Sequence, residues 1–255
     1  MTEREKWNMN IVVCGYGRAG KALIETILKS KDNSLCCVVC RNESSACGKD
    51  IGQVIYSENN IIGIPVISLA DAYSYLCEKK VDVVIDFSNR VMAVSLLELC
   101  INLKCNLVVC TTNHSTEEIQ WFEKAAEKNS FGVVYAPNLT IGINLLLEFT
   151  RKLAAVYEDA RFEIIEKHPE NKPIPTATSQ IISQVTGREC VPIHSVRLNG
   201  YVGVHELIVT NGTERVILSH EAISREAFAK GALSAARFIL GKQGLYFMKD
   251  VVEAL

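Results

Sequence analysis

The segment Ile164-Ile165-Glu166-Lys167-His168-Pro169-Glu170-Asn171-Lys172 follows an expected strand and holds an imidazole, His168, and an ammonium, Lys172, close together. Side chains of these types are candidate catalytic groups, and the local positive charge would draw a small anionic substrate. The run Pro175-Thr176-Ala177-Thr178-Ser179 follows closely and is expected to open a helix. A helix start with hydroxyls and free N–H groups is a ready carboxylate site. Thr176, Ala177 and Thr178 are its candidates, with Lys172 adding a point charge. Taken alone, His168 and Lys172 read equally well as part of a surface loop between two domains.

A second constellation lies near the amino end. Cys14-Gly15-Tyr16-Gly17-Arg18-Ala19-Gly20 contains G-x-G-x-x-G, after an apolar strand and before a helix. Gly15 permits a tight turn, Gly17 lets the backbone approach a pyrophosphate, and Gly20 allows helix and strand to pack closely. The helix then directs N–H groups and its positive dipole end at the phosphates. Strand before, helix after, is the context in which this motif reads as dinucleotide binding, here of NADPH, NADH or both.

The second strand is expected to end at Cys40, where no acidic residue is present to bond the ribose hydroxyls of NAD. Arg41 follows, so a 2′-phosphate would find a cation there, and NADPH is expected to serve at least as well as NADH. Glu43 leaves a ribose contact open, and a solvated loop charge is the plainer reading of Arg41. Three more strand ends turn from apolar to polar, at Phe87-Ser88, at Cys110-Thr111-Thr112 and at Ala136-Pro137-Asn138-Leu139. Ligands of open α/β sheets bind outside the carboxyl ends of strands, so these loops are expected around the nicotinamide.

The elements that must position these groups follow from periodicity. Apolar strands at Asn10–Cys14, Ser34–Cys40, Val81–Asp86, Asn106–Cys110 and Gly132–Tyr135 alternate with helical stretches at Lys21–Lys29, Leu69–Lys80, Arg90–Leu103 and Thr116–Lys128; Gly63–Ile67 is short and extended. This pattern predicts an α/β fold, a Rossmann-type doubly wound parallel sheet covered on both faces. After about residue 140 the pattern changes. A long helix at Ile143–Tyr157 precedes a strand at Arg161–Glu166, a helix beginning at Ser179–Gln184, and strands at Val204–Thr210 and Thr213–His220 around Asn211-Gly212. An Asn-Gly pair between alternating strands signals a hairpin. The carboxyl-terminal region is therefore an α+β domain with a mixed or antiparallel sheet. Arg225–Leu240 closes the chain as a helix. The expected division is 1–138 with 226–255 as the dinucleotide-binding domain, and 139–225 as the substrate-binding and oligomerisation domain.

Composition narrows the function classes. The chain has 255 residues, 48% hydrophobic and 22% charged, which suits two modest packed domains. A net charge of −2 gives no reason to expect nucleic acid or an anionic membrane as partner. The opening MTEREKWNMN lacks the apolar core of a secretory signal, and no apolar run is long enough to span a bilayer. Ten cysteines, mostly in apolar runs, read as small buried hydrophobes of a reduced cytoplasm. Cys37 and Cys40 form C-x-x-C without a second pair or a nearby histidine, so no metal site is expected. His194, His205 and His220 in alternating strands, and His114 in a loop, are read as packing or solvent groups.

The chain resembles the dihydrodipicolinate reductases of lysine and diaminopimelate biosynthesis. The resemblance runs over nearly the whole length. It is carried by Gly17-Arg18-Ala19-Gly20, Val84-Ile85-Asp86-Phe87-Ser88, Thr111-Thr112 and Ala136-Pro137-Asn138-Leu139 with Gly142 and Asn144. It continues through Ile164-Ile165-Glu166, Ile193-His194-Ser195-Val196-Arg197, Gly203-Val204-His205-Glu206 and Gly244-Leu245-Tyr246-Phe247-Met248. The family pattern E-x-H-H-x-x-K-x-D-A-P-S-G-T is matched at Glu166, His168 and Lys172. Pro169 replaces the second histidine, and Ile174-Pro175-Thr176-Ala177-Thr178 stands for D-A-P-S-G-T, one residue shorter. The resemblance implies reduction of an unsaturated cyclic imine dicarboxylate by NAD(P)H, a small anionic substrate, protonation by His168 and Lys172, and a homotetramer. Two other readings stand beside it: a divergent paralogue acting on another imine or enamine acid, which Pro169 and the short loop favour, and a non-catalytic nucleotide-binding regulator.

Overall fold

A computed structural model describes residues 8–255; the first seven residues of the polar opening stretch lie outside them. The chain divides into two compact units, Met1–Leu139 with Phe228–Leu255, and Thr140–Ala227.

The first unit runs β1 (Met9–Cys14), α1 (Arg18–Lys29), β2 (Asn33–Cys40), α2 (Ile51–Ile55), β3 (Val66–Ser68), α3 (Leu69–Leu76), β4 (Val83–Asp86), α4 (Arg90–Leu103), β5 (Asn106–Val109), α5 (Thr116–Asn129) and β6 (Gly132–Tyr135). Its described strands pair in parallel in the order β3-β2-β1-β4-β5-β6, and a later strand β11 (Gly244–Phe247) joins beside β6. The strand order reverses between β1 and β4, the crevice where such sheets bind dinucleotides. Successive β1 side chains pack into opposite cores. Ile11 and Val13 join Leu23, Ile24 and Ile27 of α1 on one face. Val12 and Cys14 join Leu96 and Leu97 of α4 and Phe122 of α5 on the other. Burial on both faces is why these strands read as continuous apolar runs. The helix starts are set by side-chain caps. Asn89 accepts from Val91 N and Met92 N, and Ser115 and Glu118 form a capping box.

The expected α/β architecture is present, with local differences. The helix expected over Leu69–Lys80 ends at Leu76. The segment at 63–67 forms its strand later, at Val66–Ser68. Helix α2 has no counterpart in the sequence reading. It is too short for a periodic signal and is held by the Asp50 carboxylate, which accepts from Gly52, Ile62, Gly63 and Ile64 N–H groups.

The second unit contains α6 (Ile141–Val156), β7 (Arg161–His168), α7 (Ala177–Val185), β8 (Ile193–Arg197), β9 (Gly203–Thr210) and β10 (Arg215–Ala222). Its described sheet has the order β10-β9-β7-β8, antiparallel except for the β7–β8 pair. The mixed sheet of the sequence reading is thus found, with α7 in the crossover that a parallel pair requires. A core of Ile143, Leu146, Phe162, Ile164, Ile182, Leu207 and Val209 fills one face. The hairpin expected to turn at Asn211-Gly212 is longer, because Arg215 pairs with Thr210. The Asn211 side chain accepts from Thr213 N and Glu214 N at 3.0 Å each, drawing both residues into the turn. The helix expected to close the chain, α8 (Glu226–Ile239), buries Ala229, Ala232, Ala235, Ala236 and Ile239 in a core of the first unit, and β11 and α9 (Met248–Glu253) follow it. No described helix is long and apolar enough to cross a membrane.

Candidate active site

In the first unit the expected cofactor residues gather at one edge of the sheet. Parallel pairing of β1, β2, β4, β5 and β6 brings their carboxyl ends together. That edge carries Gly15, Tyr16, Gly17, Arg18, Ala19, Gly20, Arg41, Phe87, Ser88, Cys110, Thr111, Thr112, Ala136, Pro137, Asn138 and Leu139. Gly15 has φ +89°, and its N–H donates to Val39 O at 3.0 Å. A Cβ on Gly20 would lie 2.1 Å from Gly15 O, whereas one on Gly17 would meet nothing within 4 Å. Gly15 and Gly20 shape the turn, and the open space over Gly17 leaves room for a pyrophosphate. Gly17 caps α1, whose first turn has no acidic residue, so its positive end is uncompensated. These features fit a dinucleotide. The Tyr16 hydroxyl lies 2.8 Å from Ser44 Oγ, tying the glycine loop to the loop that begins at Arg41. Arg41 itself is exposed. Cys110, Ala136 and Leu139 are buried, with their side chains packed into the core.

Asp86 is a residue of this edge that the sequence reading passed over as a site group. It is fully buried, and it accepts from Ser88 N at 2.8 Å, from Ser88 Oγ, and from Thr111 Oγ1 at 3.2 Å. Burial pushes its carboxyl up to about 6 against those hydrogen bonds. It orients two of the expected cofactor residues at once. His114, read as a loop histidine, lies 2.8 Å from Thr111 Oγ1 and extends the same network.

In the second unit, β7 continues its inward alternation past the apolar core. Phe162 and Ile164 are followed on the same face by Glu166 and His168, which explains why two polar groups are buried. Glu166 is fully buried and accepts from every side. Thr176 donates its N–H and hydroxyl, Ser179 Oγ and Ser195 Oγ each approach to 2.6 Å, and Arg197 Nη2 to 2.7 Å. Burial alone would raise its pKa, but the donors from Ser179, Ser195, Thr176 and Arg197 prevail and hold it at about 2. Arg197 reaches further, from Nε to Lys172 O at 3.2 Å and from Nη2 to Pro173 O.

His168 is buried, with Nδ1 3.8 Å from Glu166 Oε2. Its ring packs edge-on against His205 at 4.9 Å between centroids. Burial holds the His168 pKa below its ordinary value; Glu166 opposes that, and the charges of Arg197 and Lys172 reinforce it. His205 is also buried, and burial drives it down to about 3. The packing role read for His205 is therefore a packing role against the candidate acid. His194, in contrast, is exposed and pairs with Glu163 at 3.2 Å. Lys172 is exposed, and its charge acts on the His168 ring.

Glu166, His168 and His205 have potential ligand atoms within 4.8 Å of one another. Both Glu166 oxygens are already engaged by donors, and the guanidinium 2.7 Å from one of them would repel a cation.

Helix α7 starts where expected, with one correction. Thr176 is its N-cap, accepting from Ser179 N. Because its N–H and hydroxyl are given to Glu166, Thr176 does not present them to a substrate carboxylate. An internal carboxylate has taken that place. Ala177 and Thr178 form the first turn beyond it.

The depressed Glu166 pKa makes stability pH-dependent in one direction. The unfolded chain holds this proton near the ordinary 4.5, the folded chain only near 2, so acid favours unfolding. The contribution is complete above about pH 4.5 and is lost as the pH falls towards 2, on the order of 3 kcal/mol. Urea unfolding at stepped pH should show this decline in the parent and a flatter one in Glu166→Gln; equal slopes would remove Glu166 as its source.

Comparison with known proteins covers almost all of the chain. The family description "Dihydrodipicolinate reductase, N-terminus" matches residues 9–139, and "Dihydrodipicolinate reductase, C-terminus" matches residues 142–252. The 4-hydroxy-tetrahydrodipicolinate reductase of Methanosarcina mazei is 32% identical over 96% of this chain and 99% of its own length. That of Thermosipho africanus is 35% identical over 80% of this chain and 93% of its own. Among solved structures, a dipicolinate-bound dihydrodipicolinate reductase from Paenisporosarcina sp. TG-14 superposes with a TM-score of 0.76 at 23% identity. The match covers 94% of this chain and 97% of that one, a likeness of fold.

Proposed function

The chain belongs to the dihydrodipicolinate reductase family, and from that premise we propose that it reduces 4-hydroxy-tetrahydrodipicolinate to tetrahydrodipicolinate with NADPH or NADH, a hydride and a proton being added while the 4-hydroxyl leaves as water. The observation that carries this reading is the family match over both halves of the chain, with His168 and Lys172 retained from its pattern. It is an oxidoreductase of lysine and diaminopimelate biosynthesis.

The first unit is assigned the dinucleotide and the second the substrate. When bound, the nicotinamide supplies a hydride. The glycine loop and the start of α1 hold the pyrophosphate, and Ser88, Thr111 and Thr112 at the strand ends flank the nicotinamide end. In the second unit, the first turn of α7 at Ala177 and Thr178 faces a substrate carboxylate, and Lys172 adds its charge. His168 and Lys172 deliver the proton that completes reduction. A cationic donor suits this step because the substrate is a dianion and charge neutralisation stabilises it. Burial disfavours the charged form of His168, which suits the ring to relaying a proton rather than holding one. A homotetramer formed through the exposed sheet face bearing Val196 and Ile217, in a cytoplasm that keeps ten cysteines as free thiols, belongs to the same proposal.

Purified protein is tested for NADPH and NADH oxidation while dihydrodipicolinate synthase generates the unstable substrate in place. Rapid oxidation is expected. No oxidation with cofactor binding intact would favour the second reading, a paralogue for another imine acid, which Pro169 and the shortened loop support. Restored growth of a diaminopimelate-requiring strain separates the two in cells.

Cofactor choice gives a further test. Arg41→Ala is expected to raise the KM for NADPH about 10- to 100-fold, the worth of a charge-assisted phosphate contact, and to leave that for NADH nearly unchanged. Equal changes for both cofactors would mean that Arg41 does not read the 2′-phosphate.

A further inference from the structure

The buried Glu166–Arg197 pair is larger than a structural ion pair needs to be. Arg197 uses a single guanidinium to join three things: the Glu166 carboxylate, the carbonyl of Lys172 and the carbonyl of Pro173. Glu166 in turn takes the N–H and hydroxyl of Thr176, the cap of α7, and the hydroxyls of Ser179 and Ser195. Both ends of the 172–176 loop are therefore tied to one buried charge pair. This is the loop that is one residue shorter than its family pattern and lacks the D-A-P-S-G-T sequence. It has no regular secondary structure between the end of β7 and the start of α7.

We propose that Glu166 and Arg197 are positioning residues for the reduction: together they set where Lys172 and the first turn of α7 stand relative to a substrate dicarboxylate. The inference rests on the functional reading above. A planar guanidinium with several donors in fixed geometry is what this role requires, since a lysine at 197 keeps the charge but presents all its donors from one nitrogen and cannot span the same acceptors in a fixed fork. The pair also brackets His168 electrically. The charged or titratable groups facing that ring are Glu166 on its own strand, Arg197 from β8, His205 from β9 and Lys172 from the loop.

The test compares Arg197→Lys, Arg197→Gln and Glu166→Gln with the parent. Each is assayed by steady-state reduction, by affinity for dipicolinate as a non-reacting dicarboxylate probe, by NADPH affinity, and by NMR titration of the His168 ring. Arg197→Lys is expected to lower kcat/KM about 100-fold, the scale of an ångström-sized misplacement, and to weaken dipicolinate binding while NADPH affinity stays within about twofold. The His168 pKa should rise in Arg197→Gln, which loses a positive neighbour, and fall in Glu166→Gln, which loses a negative one. A merely structural pair would lower the melting temperature while the folded variants keep the kcat/KM and dipicolinate affinity of the parent. If Glu166→Gln does not fold, the two Arg197 variants carry the test. Kinetics and dipicolinate affinity within about threefold of the parent in both Arg197 variants would overturn the proposal. A parent that binds dipicolinate but turns over no synthase-generated substrate would overturn the functional reading instead, and the pair is then judged on dipicolinate affinity and the His168 titration.

Discussion

Lys172→Ala is expected to lower turnover between about 100- and 10,000-fold, the span contributed by a positioned proton donor. The backbone of Lys172 is fixed at both polar groups, its N–H to Pro169 O at 3.2 Å and its carbonyl to Arg197, so truncating the side chain should leave the loop in place. The loss should therefore fall on kcat as well as KM, with NADPH affinity unchanged, since the dinucleotide residues belong to the other unit. Steady-state rates with synthase-supplied substrate, beside a fluorescence titration of NADPH, make the measurement. A variant as active as its parent would return Lys172 to the plain reading of a loop charge. A parent without turnover on any imine acid would revive the nucleotide-binding regulator.

The glycine loop makes a prediction in two parts, because two of its glycines are needed for different reasons. At Gly20 an added Cβ would meet Gly15 O at 2.1 Å and Gly15 C at 2.9 Å, all backbone. The helix or the turn must shift, so Gly20→Ala is expected to destabilise by roughly 1–3 kcal/mol or more and to lower dinucleotide affinity with it. At Gly17 the same atom meets nothing within 4 Å, and φ is −63°. Gly17→Ala should leave the melting temperature unchanged or slightly raised, and yet weaken NADPH binding, because the new methyl occupies the approach of the pyrophosphate. Thermal melts with and without NADPH separate the two effects. Unchanged NADPH affinity in Gly17→Ala would mean the phosphates lie elsewhere.

Much of the first unit could be read in advance because its signals are local. Helix α4 matches its expected bounds, Arg90–Leu103, since Asn89 caps one end and Lys104, at φ +54°, closes the other within a residue of the pattern. The glycine loop was recognisable because strand, turn and helix are consecutive in the chain. Helix α2 was not legible, as it depends on Asp50 accepting from Ile62 and Gly63, which lie 12 and 13 residues away. The turn at Asn211 was legible in kind but not in length, since the side-chain acceptor that lengthens it competes with strand pairing.

The candidate site divides in the same way. His168 and Lys172 stand close in sequence and carry side chains whose chemistry is plain from their type. Glu166 looked like one member of a pattern, and nothing local announced that it is the centre of a network. Ser195 and Arg197 come from 29 and 31 residues away, and only the parallel register of β8 against β7, which pairs Glu166 with Ser195, delivers them. A capping threonine at a helix start suggests an anion site at Thr176. The tertiary structure filled that site with a carboxylate of the chain itself.

The sequence by itself determined the α/β class, the glycine loop between strand and helix and the candidate proton-moving side chains, because each follows from periodicity, backbone freedom or chemistry within a few neighbouring residues. The tertiary structure alone decided which buried charges meet, how Arg197 holds the shortened loop, and that His205 packs on His168. Those outcomes depend on strand register and on low-dielectric burial, and neither is a property of any short stretch of chain.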